Sequence, residues 1–190
     1  WTPDGREIVA TGAAGALRTW DASTGTPRLD ADAGAGRPLQ SLVLSPDGTR
    51  AAATQEKKLC TFLLSDGSRL TSMLYLANLQ PCRFSPDWKR VLEVTWNHTQ
   101  DFTTIDLATG EVVQRYQGHS YVVNHAEFSR DGQRIVSASS DMTAAVWDTD
   151  PGRELPVIPP PRDGGTVTDV DLDRGMMLVV SPSGGLFYAD

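Results

Sequence analysis

The sequence predicts an all-β repeat protein built from four-stranded antiparallel blades, and three observations carry that expectation. A Trp-Asp-like pair closes an apolar run at regular intervals, Trp20-Asp21, Phe62-Leu63, Ile105-Asp106 and Trp147-Asp148, at steps of 42 (20 to 62), 43 (62 to 105) and 42 (105 to 147). One further step of 42 from Trp147 reaches Ala189-Asp190, behind the apolar stretch Leu186-Phe187-Tyr188. A second marker keeps the same beat: Thr2-Pro3-Asp4-Gly5, Ser45-Pro46-Asp47-Gly48, Ser85-Pro86-Asp87-Trp88 and Ser129-Arg130-Asp131-Gly132, at steps of 43, 40 and 44. Between the markers lie short apolar runs and turn chemistry, with no helical period. Two independent markers at one period define a repeat, and such a unit buries its apolar face only against its neighbours.

The elements follow in order from the clearest copy, residues 118 to 149. Val123, Ala126 and Phe128 mark a first strand that ends at Ser129-Arg130-Asp131-Gly132. Asp-Gly between apolar runs signals a hairpin, because glycine takes the positive φ that the turn requires. Ile135-Val136-Ser137-Ala138 forms the second strand, Ser140-Asp141-Met142 turns, and Thr143 to Trp147 forms the third. Asp150-Pro151-Gly152 turns again toward a fourth strand near Leu155 to Ile158. Other copies comply: Leu42-Val43-Leu44 leads into Ser45 to Gly48, and Cys82-Arg83-Phe84 into Ser85 to Trp88. Asp21-Ala22-Ser23-Thr24-Gly25 and Asp106-Leu107-Ala108-Thr109-Gly110 supply matching turns after the third strand. Four strands in each interval is the pattern of a β-propeller blade.

The repeats are placed at about 1–34, 35–74, 75–117, 118–162 and 163–190. Ala31 to Pro38 and the run from Pro159 to Gly165 read as connections. In the last copy Val167, Val170 and Leu172 match the first strand, with a shortened turn at Asp173-Arg174-Gly175. In the third copy two extra residues enlarge the turn around Trp96-Asn97-His98-Thr99-Gln100. The chain opens inside a repeat without Met and stops as a strand finishes, so it is expected to be a piece of a longer polypeptide, cut from a ring of about seven blades.

Composition narrows the function classes. A net charge of -7 and a pI of 4.9 disfavour nucleic-acid binding, which needs clustered Lys and Arg; the doublets Lys57-Lys58 and Lys89-Arg90 are too short to reverse that. No stretch approaches the roughly 20 apolar residues of a membrane span. Cys60 and Cys82 fall in predicted strands and read as small buried hydrophobes, which points to a reducing, cytoplasmic setting.

The run Gly118-His119, Phe128-Ser129-x-Asp131-Gly132, Ser137, Asp141 and Trp147-Asp148 resembles a WD repeat. The resemblance extends over essentially the whole chain, though only this copy has every hallmark. It implies a hydrogen-bonded quartet of His119, Ser137, Asp141 and Trp147, in which the buried indole N–H needs an acceptor and a hydroxyl–imidazole–carboxylate chain supplies it. Ala14 and Glu93 break the pattern in the first and third copies, so those blades are expected to rely on apolar packing. The resemblance further implies a non-enzymatic scaffold, without cofactor or metal, that binds a protein or peptide on the face formed by second-to-third-strand turns and strand entries. On this chain that face comprises Trp96, His98, Gln100, Tyr121, Val122, Asn124, Ser140 and Met142. Trp96 and His98 are read either as an aromatic anchor that protrudes or as a loop folded back on its blade. Membrane and nucleic-acid partners are not expected; the remainder of the propeller is. Two alternatives stand beside the scaffold: an accessory or sensor propeller of a multidomain enzyme such as a kinase, protease or NTPase, and a propeller that is itself an enzyme.

Chemistry-bearing patterns have plainer structural readings. His119, Ser137 and Asp141 are the residue types of a nucleophilic triad, but Ser137 sits mid-strand without a sharp glycine-flanked turn. Asp169-x-Asp171-x-Asp173 begins like a calcium loop, yet Arg174 stands where Gly is needed and Val180 where Glu belongs. His98, His119 and His125 share no zinc-ligand spacing with the cysteines.

Overall fold

A computed structural model describes residues 1–74, 83–94 and 100–150, together with the backbone of strands 154–158, 179–180 and 186–187. It is all-β, with no helix among the described residues, and hence none long and apolar enough to cross a membrane. The chain forms two compact units, residues 1–82 and 83–190.

In the first unit, blade 1 holds β1 (Glu7–Thr11), β2 (Ala16–Asp21) and β3 (Pro27–Asp32) in that order. Blade 2 holds β4 (Gln40–Leu44), β5 (Arg50–Gln55), β6 (Lys58–Leu63) and β7 (Arg69–Leu74). In the second unit, blade 3 runs β8 (Arg83–Phe84), β9 (Arg90–Val94), β10 (Phe102–Asp106) and β11 (Val112–Tyr116). Blade 4 runs β12 (Val123–Phe128), β13 (Arg134–Ser139), β14 (Ala144–Asp148) and β15 (Glu154–Ile158). A short pair, β16 (Val179–Val180) and β17 (Leu186–Phe187), follows. All pairings are antiparallel between sequence neighbours, so each blade is a meander. The calcium-like Asp169 to Asp173 and the expected strand at Val167 to Leu172 lie outside the described residues.

The two sequence markers become the two structural constants of a blade. Trp20, Phe62, Ile105 and Trp147 pair with Ile8, Ala51, Val91 and Ile135 of the preceding strand. Each also sits at a register shift against the following strand, at Thr19/Trp20, Thr61/Phe62, Thr104/Ile105 and Ala145/Trp147. The positions are equivalent but not equally covered: Phe62 and Ile105 are buried, whereas Trp20 and Trp147 are half-buried. The bulk of an indole exceeds what its neighbours cover.

The turn marker works by local hydrogen bonding. The hydroxyl of Thr2, Ser45, Ser85 or Ser129 donates to the Asp two residues on, at 2.7, 2.5, 2.6 and 2.6 Å, and accepts the N–H of Glu7, Arg50, Arg90 or Arg134. The fourth turn residue takes a left-handed backbone, natural for Gly5, Gly48 and Gly132 but also adopted by Trp88 at φ 57°. A side chain there costs roughly 1–2 kcal/mol. Trp88 offsets that by burying its ring, stacked on Phe84 with centroids 4.6 Å apart. Blades 1 and 2 share one apolar core around Leu17, Ala53, Cys60 and Phe62; blades 3 and 4 share another around Leu92, Phe102, Val123 and Ile135.

Candidate functional site

The quartet residues come together in blade 4 because its turns bring a strand entry, two strands and a hairpin to one edge. Trp147 Nε1–H donates to Ser137 Oγ at 2.8 Å, and Ser137 Oγ lies 2.7 Å from His119 Nε2. His119 Nδ1 lies 2.9 Å from Asp141 Oδ2. The Asp141 carboxylate can only accept, so the imidazole proton sits on Nδ1 and donates to it. In that neutral tautomer Nε2 accepts the Ser137 hydroxyl proton, and Ser137 Oγ accepts the indole N–H. Asp141 also accepts the N–H groups of Ser120 and Thr143, each at 2.8 Å, and the Thr143 hydroxyl. Burial opposes the ionisation of Asp141, but these bonds from Thr143, Ser120 and His119 together hold its carboxyl below the usual range.

The surroundings fix the indole. Phe102 and Tyr116 stack at 4.7 Å, and both meet Trp147 edge-on, at 5.7 and 5.8 Å. A Cβ on Gly118 would lie 3.1 Å from Trp147 Cη2, so the Gly of Gly118-His119 leaves room for the indole. Ser137 Oγ is enclosed in a fully buried residue and committed to Trp147 and His119. The arrangement ties a strand entry to a hairpin and two strands and leaves no open face at the hydroxyl. Among the described residues no group of three or more His, Cys, Asp or Glu could hold a metal. Cys60 is a free, buried thiol 3.6 Å from Ser72 Oγ; Cys82 lies outside the described residues.

The same edge of blade 4 carries the described part of the expected binding face. Tyr121 and Met142 are exposed, at 57% and 42%. Val122, Asn124 and Ser140 are half-buried and face inward bonds instead: Ser140 N–H donates to Val122 O at 2.9 Å and Ser140 Oγ to Asn124 Oδ1 at 3.0 Å. Ser139 Oγ adds bonds to the carbonyls of Tyr121 and Val122. Met142 holds φ 70°, a left-handed conformation, at the tip of the hairpin. Gln100 is exposed and lines a cavity of about 270 Å³ with Asp101, Gln117, Gly118 and His119. Trp96 and His98 lie outside the described residues.

Blade 2 also lacks the quartet. Ala53 occupies the register position of Ser137, and Phe62, with no N–H, occupies that of Trp147. There the connection before β4 is held by Gln55, whose Nε2 donates to Gly34 O at 2.7 Å and to Arg37 O at 3.3 Å. Arg69 donates to Ala33 O at 2.8 Å and to Gln55 Oε1 at 3.3 Å, with its guanidinium 5.5 Å from the Phe62 ring centroid. Sequence reasoning missed this pair. Its one signal is that Gln55 holds the register place of Ser139, the residue that reaches the equivalent connection in blade 4.

Blade 4, a four-stranded antiparallel sheet carrying an indole–hydroxyl–imidazole–carboxylate chain, is a propeller blade of the WD type. Residues 110–148 match the family model described as "WD domain, G-beta repeat", so the chain carries a WD repeat of that family. Among curated proteins the chain is similar to "Protein groucho" of Drosophila melanogaster, 27% identical over 154 residues, covering 80% of this chain and 15% of the relative. It is similar also to "Transducin-like enhancer protein 2" of Mus musculus, 26% identical over 154 residues, again 80% and 15%. The matched region is thus a small part of each relative's length.

Proposed function

We propose that the chain is a non-enzymatic scaffold that binds a protein or peptide partner on the edge of its blades carrying the second-to-third-strand turns and strand entries. The observation that supports this reading best is Met142. Met142 stands at the hairpin tip in a left-handed backbone, and its apolar side chain is 42% exposed. An apolar side chain presented at the tip of a turn is suited to contact with a partner. Tyr121 is offered from the connection beside it, and hydrogen bonds from Ser139 and Ser140 join the two segments. Large side chains on turns held by a rigid scaffold bury much area at little ordering cost. Trp96 and His98 extend the same reading to the enlarged turn of the third copy. The WD family and the similarity to the two named relatives favour protein binding over catalysis.

The test compares a Tyr121→Ala, Met142→Ala variant with a Leu70→Ala, Val112→Ala control on the outer strands, in co-purification from the native host. Loss of about 2 kcal/mol or more in partner affinity is expected from the first pair and none from the second. Equal recovery by both variants, with unchanged melting, places the contact elsewhere.

A further inference from the structure

Two clefts open on the other edge of the blades, where the first-to-second-strand turns and the third-to-fourth-strand turns gather. One lies between blades 3 and 4, lined by Ser85-Pro86-Asp87, Asp131-Gly132 and Thr149-Asp150, and measures about 240 Å³. The other lies between blades 1 and 2, lined by the equivalent Thr2-Pro3-Asp4, Asp47-Gly48 and Leu64-Ser65, and measures about 660 Å³. The turns match in detail: a Cβ on Gly132 would lie 3.3 Å from Pro86, and one on Gly48 would lie 3.3 Å from Pro3.

The clefts differ in one residue of consequence. The strand position paired with the residue after the aromatic marker holds Arg50, Arg90 and Arg134 in three blades and Glu7 in blade 1. Arg90 lines the smaller cleft and crosses it, donating from Nη1 to Thr149 O at 3.1 Å, while Thr149 Oγ1 donates to Gly132 O at 2.9 Å. A guanidinium is therefore the group that fills this site where it is filled. Glu7 cannot take that place, since a carboxylate offers no N–H to a carbonyl. Arg28 lines the same cleft and bridges Asp21 at 2.6 Å and Glu7 at 3.6 Å. It is 53% exposed, however, and among the described residues forms no hydrogen bond to the third-to-fourth-strand turn of blade 2, so the place that Arg90 fills in the other cleft is not taken by it. Leu63 and Leu64 line the wider cleft where Asp148 and Thr149 stand in blade 4, giving apolar wall for the methylenes of a long side chain.

We propose that the cleft between blades 1 and 2 receives an arginine side chain from a partner polypeptide, in the place that Arg90 occupies in the equivalent cleft. The guanidinium fork meets the Glu7 carboxylate and the backbone of the third-to-fourth-strand turn together, which suits planar, directed donors better than an ammonium point charge. Three carboxylates, Asp4, Glu7 and Asp47, line the cleft against two cations, Arg6 and Arg28, which leaves the rim with a net negative charge; the hydroxyls of Thr2 and Ser45 donate to Asp4 and Asp47.

The experiment uses a fluorescein-labelled pentapeptide, Gly-Leu-Arg-Leu-Gly, and its uncharged citrulline counterpart, titrated into the full chain and followed by anisotropy and calorimetry. The arginine peptide is expected to bind at one site, about tenfold or more tighter than the citrulline peptide, with a lysine peptide in between. Glu7→Arg supplies the plug in cis and should weaken binding about tenfold; Arg90→Glu should open the second cleft and raise the stoichiometry from one to two. Circular dichroism and melting establish that each variant is folded, and if Glu7→Arg fails to fold, the citrulline and Arg90→Glu arms decide. Equal binding of the citrulline peptide, full binding by folded Glu7→Arg, or no added site in folded Arg90→Glu overturns the proposal.

Discussion

In blade 4 the connection into the first strand is tied through His119 to Ser137, Asp141 and Trp147, whereas in blade 2 the equivalent connection is tied through Gln55 and Arg69 to main-chain carbonyls. The aromatic marker decides which device is needed. Trp147 brings an N–H into the core edge that must find an acceptor, and Ser137 with its imidazole relay provides one. Phe62 brings none, so Ala53 suffices behind it and the connection is left for a longer side chain to hold. A cation above the Phe62 ring face adds an attraction of about 0.5–1 kcal/mol. One mechanical requirement, fixing a strand entry to the neighbouring hairpin, is thus met by side chains of different chemistry, and the polar ties sit wherever the marker and its register partners leave room.

The sharpest way to break this contrast is Ser137→Ala, which leaves both the indole N–H and His119 Nε2 without their partner. We expect a loss of about 3 kcal/mol in denaturant unfolding, the upper end for orphaned buried groups. Trp147→Phe removes the indole donor and copies blade 2, so the double variant should cost less than the sum of the singles by about 1 kcal/mol. Strict additivity would mean the two side chains are not coupled and the chain of bonds is incidental.

In blade 2 the corresponding change is Gln55→Ala. It strips the donor from Gly34 O and Arg37 O and the acceptor from Arg69, but the connection borders solvent and water can replace part of this. A loss of about 1–2 kcal/mol is expected, measured in the same way. A loss equal to that of Ser137→Ala would show that the amide clamp carries as much as the quartet.

The period, the turns and the quartet were legible because each depends on local chemistry or on residue types at fixed offsets. Ser129, Asp131 and Gly132 build their turn almost without help from the rest of the chain, and any blade with Trp at its marker needs a nearby acceptor. The Gln55–Arg69 clamp was not legible, since it depends on which carbonyls of residues 33 to 37 end up within reach. Trp88 was equally hidden: sequence alone gives no reason to place an indole in a left-handed turn, and only the Phe84 ring and the surrounding cover explain it. Of the residues expected on the binding face, Tyr121 and Met142 are exposed, whereas Asn124 and Ser140 hydrogen-bond each other, a pairing that requires knowing the strand entry and hairpin are adjacent.

Acid should act on both blades in the same direction and through different groups. Asp47 in the blade 2 turn is held at about 2 by the hydroxyl of Ser45 and by Thr49, and Asp141 in blade 4 is held below its ordinary value despite burial. A carboxyl whose folded pKa is depressed adds stability above its unfolded value of 3.8, and that stability is lost as pH falls toward the folded value. Unfolding free energy should therefore decline from about pH 4 toward pH 2. Asp47→Asn should flatten that decline only slightly, because solvent screens an exposed turn. Asp141→Asn should flatten it more while lowering stability near neutrality. An unchanged slope in both variants would assign acid sensitivity to other carboxylates.

The smallest expected effect concerns the hairpin tips, where blade 2 holds Glu56 at φ 57° and blade 4 holds Met142 at φ 70°. Glycine relieves about 1–2 kcal/mol of left-handed strain but loses roughly 0.5–1 kcal/mol through the freedom of its unfolded chain. Met142→Gly should thus stabilise the chain by about 0.5 kcal/mol. Glu56 differs because its carboxylate pairs with Arg37 at 2.9 Å, although both side chains are largely exposed and the pair contributes only about 0–1 kcal/mol. Glu56→Gly should therefore be closer to neutral. The two changes separate on binding: Met142→Gly should gain stability while losing partner affinity, and Glu56→Gly should leave affinity unchanged. If Met142→Gly instead destabilises the chain, the side chain packs usefully in the folded blade. Its side chain would then serve the fold, and the case for a contact at that tip would be the weaker for it.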